Sequence, residues 1–199
     1  MDERYYRSLE AKNSVLLLVD YQARMFSGAV SSNPTAVKNN VIAVAKGAEI
    51  LDVPAVLTTI SADNNGPFLP EVAAMFPRSP VIDRRVLSYD ALADKEVYSA
   101  VNRTGRKQLV LSGLWTSMCM ALTALRGLRE GFNVFGVMDA ASSESVDAHY
   151  LAVQRMVQAG VVPCTWMQVI SEWMYSWQNS KAGELYTKVY GAYNGYSAQ

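Results

Sequence analysis

Histidine, cysteine and charge are all scarce in this chain of 199 residues. A single histidine, His149, excludes every mechanism or metal centre that needs two. The two cysteines, Cys119 and Cys164, lie far apart, form no CxxC motif and have no histidine ligands nearby. Neither a disulfide scaffold nor a zinc cluster is supported, so at least one thiol is free for other chemistry. Charged residues make up only 18% of the chain, against about 25% in an average soluble domain. Eighteen basic residues balance eighteen acidic ones, and no Lys/Arg run is dense enough to follow a phosphate backbone or an anionic membrane. No stretch reaches the ~18 apolar residues of a membrane span, and the charged Met1-Asp2-Glu3-Arg4 is not a secretory leader. These absences predict a cytoplasmic protein that uses no metal or cofactor and binds neither nucleic acid nor membrane.

What is present is apolar. Half the residues are hydrophobic, with 11 Tyr, 9 Met and 4 Trp. The length suits one domain over 1–199, able to bury about 70% of the surface its unfolded form would expose. With so little charge, part of the apolar surface is expected to be covered by another subunit.

Short aliphatic runs recur along the chain. Val15 to Val19 ends at Asp20, Ala55 to Thr59 follows Pro54, Gln108 to Ser112 ends at Gly113, Asn133 to Val137 runs towards Asp139, and Val161 to Trp166 closes the series. Pro80-Val81-Ile82 is a weaker case. Runs of this kind read as strands buried on both faces. Between them, apolar residues at three- and four-residue spacing predict helices over Thr35–Leu51, Lys95–Arg103, Met118–Glu130 and Val146–Gln158. Gly105, Gly131 and Gly160 follow three of these as left-handed C-caps. The alternation implies an α/β fold: a Rossmann-like, three-layer α/β/α arrangement around a mostly parallel sheet of five or six strands. Past Trp177 the pattern weakens, and residues 180–199 read as a C-terminal extension or an arm on a neighbouring subunit. No GxGxxG or GxxxxGK[ST] follows any strand, which argues against nucleotide binding.

Doubly wound sheets bind ligands beyond the carboxyl ends of their strands. There stand Asp20, Thr59 to Asp63, Arg84 and Arg85, Gly113 to Cys119, and Asp139 to Ser145. Cys119 opens a helix, where dipole and free N–H groups favour a thiolate and could cradle an oxyanion. Asp20 could receive and return a proton, and an arginine after the weak strand could orient that carboxylate. Asp139 reads as the holder of its turn, Cys164 as core and His149 as structural.

The segments Val19-Asp20-Tyr21-Gln22 and Gly113-Leu114-Trp115-Thr116-Ser117-Met118-Cys119 resemble the opening and nucleophile motifs of the isochorismatase-like cysteine hydrolases. Thr123, Ala124, Gly131, Val134, Asp139 and Ala140 fit as well, and the resemblance covers residues 12–180. Asn64 to Glu71 and Gly105 to Leu109 are similar to the YcaC-like branch.

The resemblance implies an Asp, Lys, Cys triad, a cis peptide before the cysteine, and small-molecule C–N bond hydrolysis without a cofactor. Asp20 and Cys119 carry over. The cis bond would fall at Trp115-Thr116, making the Thr116 and Cys119 N–H groups the oxyanion donors. In place of the lysine stand Arg84 and Arg85, and spacing to Asp90-Ala91-Leu92 favours Arg85. Pocket walls are expected from Gln22, Phe26, Phe68, Arg84, Trp115 and an adjacent subunit in a homo-oligomer, a tetramer or octamer. The histidines of metal-binding nicotinamidases are absent from Thr59 to Asp63, so no metal is expected. The alternative is a small-molecule-binding or redox-responsive protein that keeps the fold with little hydrolysis.

Overall fold

The computed structural model describes residue 6 and residues 8–194. Six strands, β1 (Ser14–Val19), β2 (Ala55–Ile60), β3 (Ile82–Arg84), β4 (Gln108–Gly113), β5 (Asn133–Val137) and β6 (Val162–Cys164), form one sheet in the order β3-β2-β1-β4-β5-β6. Every pairing is parallel. The expected α/β/α architecture is therefore present, with the strand order of a doubly wound fold. The weak strand lies two residues later than the sequence suggested and runs to Arg84, a shift that matters for the site.

All six residues of β1 are buried, because helices cover both faces of the sheet. Val15, Leu17 and Val19 face one apolar cluster, and Leu16 and Leu18 face the other. The main helices are α1 (Ala23–Gly28), α2 (Pro34–Ile50), α3 (Lys95–Arg103), α4 (Ala121–Arg129), α5 (Val146–Ala159) and α6 (Trp166–Met174). Helices α2 and α6 pack on the side of Leu16 and Leu18, while α3, α4 and α5 cover the opposite face.

Local chemistry sets the helix ends. Asn33 caps α2 by accepting from the N–H groups of Thr35 and Ala36, with Pro34 at the first helical position. Asp94 caps α3 through Glu96 N–H and also accepts from Arg85 N–H at 3.0 Å, tying the exit of β3 to that helix. Gly105, Gly131 and Gly160 are all left-handed, at φ +67°, +85° and +106°. Asp139 accepts from Trp166 N–H at 2.9 Å and so secures the start of α6, a structural role.

The sequence pattern did not reveal α6, because its apolar residues merge with the preceding strand run. Beyond it, Ala182–Asn194 is helical, and Leu185, Val189 and Tyr190 are buried against the α2 side. Residues 195–199, the end of the segment read as an extension or arm, lie outside the described residues. No helix is long and apolar enough to cross a membrane among the described residues.

One close approach fixes the geometry where β1 and β4 end. A Cβ placed on Gly113 would stand 2.8 Å from both the Cβ and the carbonyl oxygen of Val19, and backbone cannot step aside. Gly113→Ala should therefore push these strand ends apart and lower stability by about 1–3 kcal/mol, the usual scale of overpacking. Urea denaturation of the two proteins would measure this, and an unchanged midpoint would contradict it.

Candidate active site

Three neighbouring strand ends deliver the reactive groups. Asp20 follows β1 with φ +60°, a left-handed conformation rare outside glycine, and its N–H donates to Thr58 O at 2.9 Å. Ser61, just after β2, is also left-handed at φ +50°. Two such residues at adjoining strand ends mark a site where backbone strain is held by the surrounding structure.

Arg84, the last residue of β3, crosses beneath β2 to reach Asp20, a span of about 10 Å at ordinary strand spacing. Its two terminal nitrogens donate to the two carboxylate oxygens at 2.6 and 2.9 Å, and both side chains are fully buried. Nη2 also lies 4.0 Å from Cys119 Sγ. The neighbouring Arg85, favoured by spacing, points outward and is exposed. The reason is the two-residue period of a strand: Ile82 and Arg84 face inward while Asp83 and Arg85 do not. That alternation was the available signal, since Ile82 is apolar and Asp83 is charged.

Cys119 sits in a π-helical turn, Thr116–Met120, that leads into α4. It is 5% exposed. The turn is tethered from the loop after β5: Thr116 N–H donates to Ser142 O at 3.0 Å and Ser117 N–H to Ser143 Oγ at 3.2 Å. Glu144 accepts from Ser117 Oγ at 2.7 Å and from Ser143 Oγ, which holds its carboxyl below the ordinary range against the opposing effect of burial. His149 Nδ1 lies 2.9 Å from Thr116 Oγ1, with its pKa lowered by burial, and supports the turn from α5.

The cis peptide is Leu114-Trp115, one bond earlier than expected. Thr116 N–H is committed to Ser142 and is not an oxyanion donor as the protein stands. Trp115 itself packs on Gly28 so closely that a Cβ there would come within 2.4 Å of the indole, and its Nε1–H donates to Met25 O at 2.7 Å.

The electrostatics differ from the sequence expectation. Burial pushes the Asp20 carboxyl up, and the hydrogen bond and charge of Arg84 pull it back only in part. Burial also works against the Arg84 cation, but the Asp20 carboxylate outweighs it and holds the guanidinium protonated. For Cys119, burial and then the charge and hydrogen bond of Asp20 push the thiol well above its ordinary value, with Arg84 opposing. Burial and Asp20 thus oppose the thiolate that a helix N-terminus favours. One buried polar atom, Arg84 Nε, has no partner among the described residues.

A cavity of about 360 Å³ opens above Cys119, lined in part by Met25, Leu114, Trp115 and Met118. Ile60 and Ser61, within the Thr59 to Asp63 segment expected at the site, complete its wall together with Asn65, Leu87 and Tyr89, which were not anticipated from sequence. Phe26 and Phe68 are not in the wall: both pack on Tyr21, with ring centroids 6.1 and 6.0 Å away. Gln22 is fully buried and acts as a clamp, accepting from Ile60 N–H at 3.0 Å and donating to Gly66 O at 2.6 Å. Cys164 is buried at the end of β6, away from the cavity. Among the described residues no group of three or more His, Cys, Asp or Glu side chains could hold a metal ion.

The family model for the isochorismatase domain matches residues 14–168. The chain belongs to the isochorismatase family. The Escherichia coli protein named probable hydrolase YcaC is 36% identical to it over 179 residues, 89% of this chain and 86% of that one. The crystal structure of Escherichia coli YcaC, described as an octameric hydrolase of unknown specificity, has a TM-score of 0.90 at 35% identity, covering 97% of this chain and 96% of that one. YcaC from Pseudomonas aeruginosa, with hexane-2,5-diol and covalent acrylamide, has a TM-score of 0.89 at 35% identity and covers 96% and 95%. This isochorismatase-family member therefore stands with the YcaC-like hydrolases.

The two arginines of this isochorismatase-family site should behave oppositely. Arg84→Ala leaves Asp20 buried without its cation and should cost about 3–5 kcal/mol, whereas Arg85→Ala should leave the denaturation midpoint unchanged. Thiol titration gives a second expectation. Iodoacetamide should alkylate wild-type Cys119 with a pH midpoint above the ~8.5 of a free thiol. In Asp20→Asn the negative charge is gone and Arg84 remains, so the midpoint should fall by about 1–3 pH units. A midpoint that stays or rises in the variant would contradict the assigned pairing.

Proposed function

We propose that this protein is a cysteine hydrolase that cleaves a C–N bond, of amide type, in a small molecule through a Cys119 acyl-enzyme. The observation that carries this reading is the buried contiguity of Cys119, which lines a cavity, with Asp20 and Arg84 behind it. A raised carboxyl pKa suits Asp20 to its part, since a stronger base takes a proton more readily.

As Sγ attacks the carbonyl carbon, its proton passes to Asp20 and the carbonyl π pair moves onto oxygen. The Cys119 N–H is the donor we assign to that oxyanion. When the oxyanion collapses the C–N bond breaks, and Asp20 returns the proton to the leaving nitrogen. Water then gives a proton to Asp20, attacks the thioester carbon and releases the acid, and the sulfur recovers the proton. Arg84 stays charged throughout. It steadies the Asp20 carboxylate and the developing negative charge on sulfur but moves no proton, since arginine does not deprotonate in proteins.

Covalent acrylamide in the Pseudomonas aeruginosa YcaC structure supports a reactive nucleophile on this fold. Two free thiols, Cys119 and Cys164, suit a reducing cytoplasm, and we read the chain as a single hydrolase domain. The octameric state of Escherichia coli YcaC and the exposed apolar residues Val146, Tyr150, Leu151 and Val157 on α5 support a homo-oligomer, for which light scattering should give at least a tetramer.

The deciding experiment is a screen of small amides with wild type, Cys119→Ala and Asp20→Asn. Turnover is expected for wild type, with a thioester trapped by intact mass at low pH. Both variants should lose at least 10³-fold while retaining wild-type circular dichroism, a loss on the scale of general-base and nucleophile removal. The raised Cys119 thiol favours the rival reading of a binding or redox-responsive protein to this extent: tight binding of a small molecule without turnover would establish it instead, whereas turnover that survives Cys119→Ala would overturn Cys119 as the nucleophile.

A further inference from the structure

The cavity above Cys119 has a character that the nucleophile alone does not dictate. Six of its lining side chains, Met25, Ile60, Leu87, Leu114, Trp115 and Met118, are apolar, and none of the lining residues is charged. The cation closest to the sulfur, Arg84, is fully buried behind the wall, and both of its terminal nitrogens are held by Asp20. An anionic ligand would meet apolar walls, no free cation and the nearby Asp20 charge. Burying an unpaired carboxylate in such surroundings is strongly unfavourable.

The three polar side chains in the wall suit a neutral polar group. Asn65 Nδ2 donates one hydrogen to Ile60 O at 2.8 Å, and its Oδ1 is an acceptor that could meet an N–H. Ser61 Oγ accepts from Asn64 at 2.7 Å and keeps its own hydrogen to donate, and Tyr89 adds a second hydroxyl. At about 360 Å³ the space is at the small end of ligand pockets, which run from about 300 to 1,000 Å³.

We infer that the site takes small, uncharged carbonyl compounds with an apolar acyl group, primary amides foremost, and excludes carboxylates. This rests on Cys119 acting as the nucleophile proposed above, and it goes further by naming the class of substrate and by setting aside anionic compounds, isochorismate among them.

Acrylamide and acrylate test it as a matched pair, one neutral and one anionic. Each reacts by the same step: Sγ bonds to the terminal alkene carbon, the π pair shifts to the neighbouring carbon, and a proton adds there. Modification of Cys119 in the intact protein at pH 8 would be followed by mass spectrometry and peptide mapping. Each rate is divided by that of the same reagent with 2-mercaptoethanol, which removes intrinsic reactivity. The normalised rate for acrylamide should exceed that for acrylate at least tenfold. Leu87→Lys, at a residue 72% exposed at the cavity wall, should lower that ratio at least threefold by supplying a cation. Equal normalised rates in the wild type, with Cys119 modified by both, would overturn the substrate class while leaving the nucleophile in place. A ratio unmoved by Leu87→Lys would overturn the electrostatic basis of the exclusion. Absence of labelling by either reagent until the protein is unfolded would overturn the nucleophile and, with it, this inference.

Discussion

The buried Asp20–Arg84 pair is the constraint on which the rest of the site depends. Two charges without solvent are tolerable only in good geometry with their hydrogen-bonding capacity met, because desolvation costs several kcal/mol per ion. Arg84 meets most of that demand by presenting both terminal nitrogens to both oxygens of the carboxylate, with Nε alone left unpartnered among the described residues. The arrangement spans three strands, so β3, β2 and β1 must hold their register for the pair to exist. Sheet order and site electrostatics are thus one problem. A slip of one residue in β3 would turn Arg84 to the outside and bring Arg85 in.

The same pair governs the sulfur. Burial and Asp20 push the thiol up, and Arg84 draws it down. A lysine at the position of Arg84 would be a compact charge with movable protons, while arginine is a rigid fork that stays protonated. In the proposed mechanism proton traffic therefore falls to Asp20 alone. Because Arg84 is consumed by its carboxylate, the cavity is left without a positive charge among the described residues, so the ion pair that adjoins the proposed nucleophile also shapes what that sulfur can meet.

Around this centre the chain fastens its movable parts to one another. The loop after β5 holds the turn bearing Cys119 through Ser142 and Ser143, and Ser143 N–H in turn donates to Ser31 Oγ at 2.8 Å, beyond α1. Gln22 joins the start of α1 to the end of β2, which sets the wall opposite Trp115. Single histidine though it is, His149 contributes here by contact with Thr116 and not by acid–base chemistry at the sulfur. Side chains between the strand ends thus do much of the positioning that the strands cannot.

Period and punctuation were enough to read the sheet, the four long helices and the strand ends carrying Asp20 and Cys119, since parallel strands must be apolar on both faces and helices must end in recognisable caps. Local sequence determined that much by itself. The choice between Arg84 and Arg85 was also within reach, because strand alternation from Ile82 decides it, but spacing to a later motif pointed the other way. Other features had no local signal. Leu87, Tyr89 and Asn65 meet only when the loops after β2 and β3 fold over the end of β4, and Phe26 and Phe68 pack on Tyr21. The protonation of Cys119 was likewise beyond the sequence. A helix start predicts a thiolate, and burial beside a carboxylate reverses that prediction, because desolvation and neighbouring charge depend on groups far apart in the chain that only the tertiary structure brings together.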